Sequence, residues 1–123
     1  MRHFLSQQRN VMQFPIQVTF HDLPVSDAVE AVCWEEAAKL EKTYDQLLSC
    51  RVVVTASHPQ SDGEVVNVRV ELRLPGGTIT VDREAAAHRP DKDVYSAIRN
   101  AFDGARHELG EHIRELAQPP HDS

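Results

Sequence analysis

Residues 93–116 carry apolar side chains at Val94, Ile98, Ala101, Phe102, Ala105, Leu109, Ile113 and Leu116, in steps of three and four that lay one stripe along a helix. A stripe of that length must be covered, because each large side chain it buries contributes roughly 1.5–3 kcal/mol. Only a sheet or a second long helix offers enough area. The sequence upstream supplies both.

Residues 1–11 are polar apart from Phe4, Leu5 and Val11 and show no period, so they read as a loose arm, unless the natural start is Met12. Residues 13–21 alternate, with Phe14, Ile16, Val18 and Phe20 on one side and Pro15, Gln17 and Thr19 on the other, the pattern of a half-buried strand. Pro15 has no amide proton to give a ladder, which puts this strand at an edge or turns that position outward. Ser26 is a good N-cap, with Asp27 and Glu30 in the first turn where the helix dipole favours anions. Val29, Val32, Cys33, Ala37, Leu40, Tyr44 and Leu47 then repeat at helical spacing and predict a helix over 26–47. Its outer face carries Glu30, Glu35, Glu41 and Asp45 against Lys39 and Lys42. Trp34 falls toward that face, either covering the helix flank or meeting a partner.

Residues 50–56 are rich in β-branched side chains and predict a second strand, followed by a turn over 57–63. From 64 to 74, Val66, Val68, Val70, Leu72 and Leu74 alternate with Asn67, Arg69, Glu71 and Arg73 in a long third strand. Pro75-Gly76-Gly77 makes a tight hairpin into a fourth strand over 78–82. Residues 83–92 lack a strong period and contain Pro90, and are read as an exposed, mildly positive loop before Asp93 caps the last helix. Gly104 and Gly110 interrupt that helix on its polar side at about 1 kcal/mol each relative to Ala, and read as tolerated. Pro119-Pro120 stop it. The expected core is Ile16, Val18, Phe20, Val29, Val32, Leu40, Val52, Val54, Val68, Val70, Leu72, Ile79, Val81, Ile98, Phe102 and Leu109. The expected division is an arm over 1–11, one domain over 12–118 and a tail over 119–123.

A chain that is 41% hydrophobic and 26% charged has the composition of a soluble globular domain. It has no apolar run near the roughly 20 residues that span a membrane and no secretory leader pattern, and a cytoplasmic location is expected. In a reducing compartment Cys33 and Cys50 read as small buried hydrophobes. A net charge of −6 argues against indiscriminate nucleic-acid binding, which is driven by neutralising phosphates with Lys and Arg. Any such partner has to be met by a local basic patch. Catalysis finds little support. His21, His58, His88, His107 and His112 form no metal-ligand spacing beyond His107 and Glu111 on one helical face, a pairing common on solvated helices. No cofactor and no small-molecule substrate are expected.

Lys39-Leu40-Glu41 followed by Tyr44-Asp45, a valine-rich strand, a Gly-Gly hairpin and Asp93-Val94-Tyr95-Ser96-Ala97-Ile98 resembles the ribosome hibernation promoting factor and ribosome-associated inhibitor family over residues 12–116. The resemblance implies an α+β fold, β-α-β-β-β-α, with a four-stranded sheet carrying both helices on one face, similar to double-stranded RNA-binding domains. It implies a protein that is not an enzyme, binds the small ribosomal subunit near the decoding region, and silences idle ribosomes under stress or starvation. It also implies the short form of the family, without a C-terminal dimerisation domain, and a monomer off the ribosome. Lys39 matches a lysine that recurs in the family's first helix, and Tyr95 an aromatic that packs at the start of the last one. The chain departs from the family in its helices and in the loop before Asp93, which is longer than in short members and carries Arg83, Arg89 and Lys92, where some of the missing positive charge is expected to have moved. Gly110-Glu111-His112-Ile113-Arg114-Glu115 stands where short members are dense in lysine, and Glu36 stands where a lysine is common.

The candidate nucleic-acid-binding residues are Lys39, Lys42, Arg69, Arg73, Arg83, Arg89, Lys92, Arg99 and Arg106. The rival reading is a protein-binding module of the same fold that has lost its RNA surface. Charge placement separates the two: a continuous patch favours RNA, and cations broken up by carboxylates favour protein.

Overall fold

The computed structural model describes residues 14–57, 64–87 and 90–117. In chain order the elements are β1 (Ile16–His21), α1 (Asp27–Thr43), β2 (Ser49–Ser57), β3 (Glu64–Leu74), β4 (Gly77–Ala87) and α2 (Pro90–Ala117). The strands form one sheet in the order β1-β2-β3-β4. β1 pairs with β2 in parallel, which requires a crossover, and α1 is that crossover. The other two pairings are antiparallel. β1 is an edge strand, and Pro15 stands just before its first residue, where its carbonyl accepts the Cys50 amide at 3.0 Å.

The period-two pattern decides which face is covered. Val52 and Val54 of β2 stand in register with Val70 and Val68 of β3, and Val81 of β4 stands opposite Val70. With Val66 and Leu72 they are fully or almost fully buried beneath Ile98, Ala101, Phe102, Ala105 and Leu109 of α2 and Val29, Cys33, Ala37 and Leu40 of α1. Both helices therefore lie on one face, α2 across β3 and β4 and α1 on the side of β1. Ile16, Val18, Phe20, Val32 and Ile79 are only partly buried, as edge strands and a helix flank dictate. Tyr95 packs against the same core and Trp34 is half-buried on α1. Near the far end of α2, the His112 ring meets Tyr44 edge-on, with centroids 6.4 Å apart.

Ser26 caps α1 as expected, its Oγ accepting the Val29 amide at 3.2 Å. The helix ends at Thr43 rather than 47. Tyr44 is extended and gives its amide to the Leu40 carbonyl, and the chain then turns so that Leu47 is buried from outside the helix. An apolar side chain at helical spacing can reach the core without being helical. In the Pro75-Gly76 hairpin, Gly76 takes a φ of +90°, which a side chain would resist, after a proline whose φ is already set for the turn.

The largest correction concerns residues 83–92, expected to be a loop. β4 continues to Ala87 because β3 is eleven residues long and offers unpaired backbone groups to its end: Arg83 stands opposite Val68, Ala85 opposite Val66 and Ala87 opposite Glu64. α2 starts at Pro90, three residues before the expected cap, since proline at the first helical position loses no hydrogen bond and brings a helical φ. The arm over 1–11, residues 58–63 of the expected turn and the tail over 119–123 lie outside the described residues.

Candidate nucleic-acid interface

The same alternation that buries the valines of β2 and β3 sends Arg51, Arg69 and Arg73 to the open face of the sheet, where all three are exposed. That face is mixed in sign. Arg69 Nε donates to Asp82 Oδ1 of β4 at 3.0 Å, and Asp82, through this hydrogen bond and its charge, raises the guanidinium above its ordinary pKa. Glu71 lies between Arg69 and Arg73 along β3 and stands opposite Arg51.

Across the sheet, the helices meet at a carboxylate. Glu36 follows Cys33 by one turn and so shares the stripe that faces α2, where only 5% of it remains exposed. A buried carboxylate needs charged or hydrogen-bonding partners. Glu36 has two, Lys39 Nζ at 3.1 Å from Oε2 and Arg106 Nη1 at 3.4 Å from Oε1, the second reaching across from α2. Arg106 also donates through Nη2 to Asp103. Lys39 and Arg106, distant in sequence, are thus brought together by Glu36, and with Asp103 the two cations face two carboxylates. Lys39 still holds its head in water, its side chain 59% exposed.

Arg83 is placed differently. In register with Val68, it leaves β4 on the helix side of the sheet, at an edge strand that gives it access to solvent. Its Nη1 donates to the Asp82 carbonyl at 2.8 Å. The guanidinium lies against Gly104 of α2, where an added Cβ would fall 2.5 Å from Arg83 Nη2 and 3.0 Å from Val81 Cγ1. Gly104 therefore faces β4 and not the polar side, as the spacing had suggested. Gly110 has nothing within 4 Å of the same construction and fits a tolerated glycine.

Among the described residues, no carboxylate stands within ion-pairing distance of Lys42, Arg51, Arg73, Arg83 or Arg99. Lys42 and Arg99 are exposed on α1 and α2. Lys92 falls in the first turn of α2, and Arg89 lies outside the described residues. The candidate cations are thus divided between the two sides of the sheet, with Arg83 at its edge. Arg51 was missed, although its alternation with Val52 and Val54 marked it as outward-facing. Below this surface, burial raises both thiols to about 12. The Glu30 and Glu36 carboxylates add to the effect at Cys33, and Cys33 adds to it at Cys50, so neither offers a thiolate near neutral pH. Among the described residues, no cluster of three His, Cys, Asp or Glu is placed to hold a metal, and no helix is long and apolar enough to cross a membrane.

Over 93 residues the chain is 26% identical to the ribosome hibernation promotion factor of Deinococcus radiodurans, a match covering 76% of this chain and 46% of that protein, so the chain spans about half the length of that relative. Its fold is similar to a ribosomal subunit interface protein from Coxiella burnetii (TM-score 0.66, 16% identity, 81% of this chain and 98% of the other). It is also similar to the N-terminal domain of Thermus thermophilus Protein Y (TM-score 0.64, 23% identity, 78% of this chain and 94% of the other). Residues 16–117, from the first residue of β1 to the last of α2, match the family described as sigma 54 modulation protein / S30EA ribosomal protein, and the chain belongs to that family.

Proposed function

We propose that this protein is a ribosome-associated factor that seats on the small ribosomal subunit near the decoding region and silences idle ribosomes under stress or starvation. The observation that carries this reading is the family match, which takes in all six elements of the fold rather than one motif. The geometry supports it with exposed cations that have no described carboxylate partner, Lys42 and Arg99 on the helix layer and Arg83 at the β4 edge, available to rRNA phosphates. On a body of net charge −6, binding depends on such local groups and is sensitive to salt. The protein works in the cytoplasm, as a monomer off the ribosome, by occupancy and without catalysis.

The second reading, a protein-binding module on the same fold, is favoured by the pairing of Lys39 and Arg106 with Glu36 and of Arg69 with Asp82, since each pairing removes a phosphate ligand. Sedimentation with purified small and large subunits, alongside a translation assay, separates the two. The ribosomal reading expects the chain to pellet with small subunits at low salt and to lower translation in proportion to occupancy. A chain that stays in the supernatant with both subunits at low salt gives the lead to protein binding.

A further inference from the structure

The two glycines of α2 provide an internal comparison. Glycine inside a helix is disfavoured relative to alanine, and at Gly110 nothing stands in the way of a methyl group. At Gly104 an arginine does, and a valine and the rest of that guanidinium crowd the same point, with Arg83 Cζ at 3.1 Å. We propose that Gly104 is a positioning residue: by lacking a side chain it seats the Arg83 guanidinium against α2 and holds it ready for a backbone phosphate of RNA. This rests on the ribosomal reading above and names one contact within it.

Three features of Arg83 fit a presented ligand better than a structural brace. It is exposed, and its one described hydrogen bond goes to the carbonyl of the residue before it, so it ties no distant elements together. It has no carboxylate partner among the described residues, unlike Lys39, Arg69 and Arg106. Guanidinium carries five donors in a planar fork that matches a phosphate, and Nη1 engages one of them with Asp82. One turn to either side of Gly104 stand Asn100, His107 and Glu108, all exposed, and the neighbouring Asp103 is held by Arg106.

The test is a cycle of Gly104→Ala, Arg83→Ala and the double variant, read in two ways. In the isolated protein, alanine at 104 should raise the melting midpoint slightly more in the Arg83→Ala background than beside Arg83, because there no guanidinium has to swing aside, while Val81 crowds the methyl in both. On small ribosomal subunits, Arg83→Ala should flatten the salt dependence by roughly one unit of slope. Gly104→Ala should flatten it by up to the same amount, and the double variant by no more than Arg83→Ala alone. Additive melting shifts overturn the seat whatever the ribosome does. Binding by Gly104→Ala with the parent's slope overturns it too, while the ribosomal reading survives. If Gly104→Ala does not fold, Arg83→Ala carries the test, and a slope unchanged from the parent overturns the proposal. A parent that never pellets removes the ribosomal reading and this inference with it.

Discussion

The seam between α1 and α2 and the flank where β4 meets α2 each hold arginine on the same helix layer, yet they differ in what the arginine can do. At the seam, Glu36 is buried and draws Lys39 and Arg106 onto itself. At the flank, Gly104 makes room for Arg83 with no described carboxylate to meet it. A count of cations treats the three alike. Their availability to a phosphate is decided by the neighbour, a carboxylate in one case and a missing side chain in the other.

Both regions depend on α2 being clamped to the sheet, and the clamp is Phe102, fully buried at the centre of the helix's covered face. Phe102→Ala should cost about 3–5 kcal/mol in a urea unfolding series, as truncation of a core aromatic does. It should loosen seam and flank together. A midpoint unchanged from the parent would remove the packing basis of the comparison.

The next effect is alkaline and lies beneath the seam. The thiols of Cys33 and Cys50 are raised from 9.0 to about 12 in the folded state, so between those values the native protein holds protons that the unfolded chain has released. Stability is then lost as pH rises from about 9 toward 12, with a limiting slope of about 1.4 kcal/mol per pH unit for each thiol, and the effect is absent below about pH 8. Unfolding free energies measured from pH 8 to 10.5 check this, and Cys50→Ala should remove about half the slope. A parent whose stability is level across that range would contradict the burial of the two groups.

A smaller effect sharpens the comparison itself. Glu36→Gln keeps the shape at the seam and releases the charge of Lys39, while Arg106 keeps its pairing with Asp103, so the stability cost should stay at about 1 kcal/mol or less. Binding to small subunits should gain, with a salt slope steeper by up to about one unit. If Glu36→Gln binds no better than the parent, the carboxylate is not what limits the seam.

The sequence made some of this plain and hid the rest for identifiable reasons. The alternation of Val66, Val68, Val70, Leu72 and Leu74 could only be a strand with one covered face, and the stripe from Val94 to Leu109 could only be the helix that covers it. Arg83 to Ala87 was opaque because three consecutive alanines show no period of two, and what makes them a strand is the length of β3 alongside. Pro90 reads as a breaker in a stretch without period, yet at the first position of α2 it starts the helix. Glu36 could be seen to depart from the family, but its partner Arg106 stands 70 residues away, and nothing local announces that pairing. The seat at Gly104 was similarly out of reach, because a glycine that is merely tolerated and one that makes room for a guanidinium are the same letter.

The central claim, that exposed cations let an acidic domain hold the small ribosomal subunit, is tested most directly by co-sedimentation across a salt series. The parent is compared there with a variant carrying Arg83→Glu, Arg89→Glu and Lys92→Glu. The account predicts a steep loss of parent binding with salt and, for the variant, weaker binding with a slope flatter by roughly one unit for each phosphate contact removed. Reversal of Glu35 and Glu41 in the same assay should leave binding level or strengthen it. A triple variant that pellets as well as the parent, with the same slope, would contradict the claim.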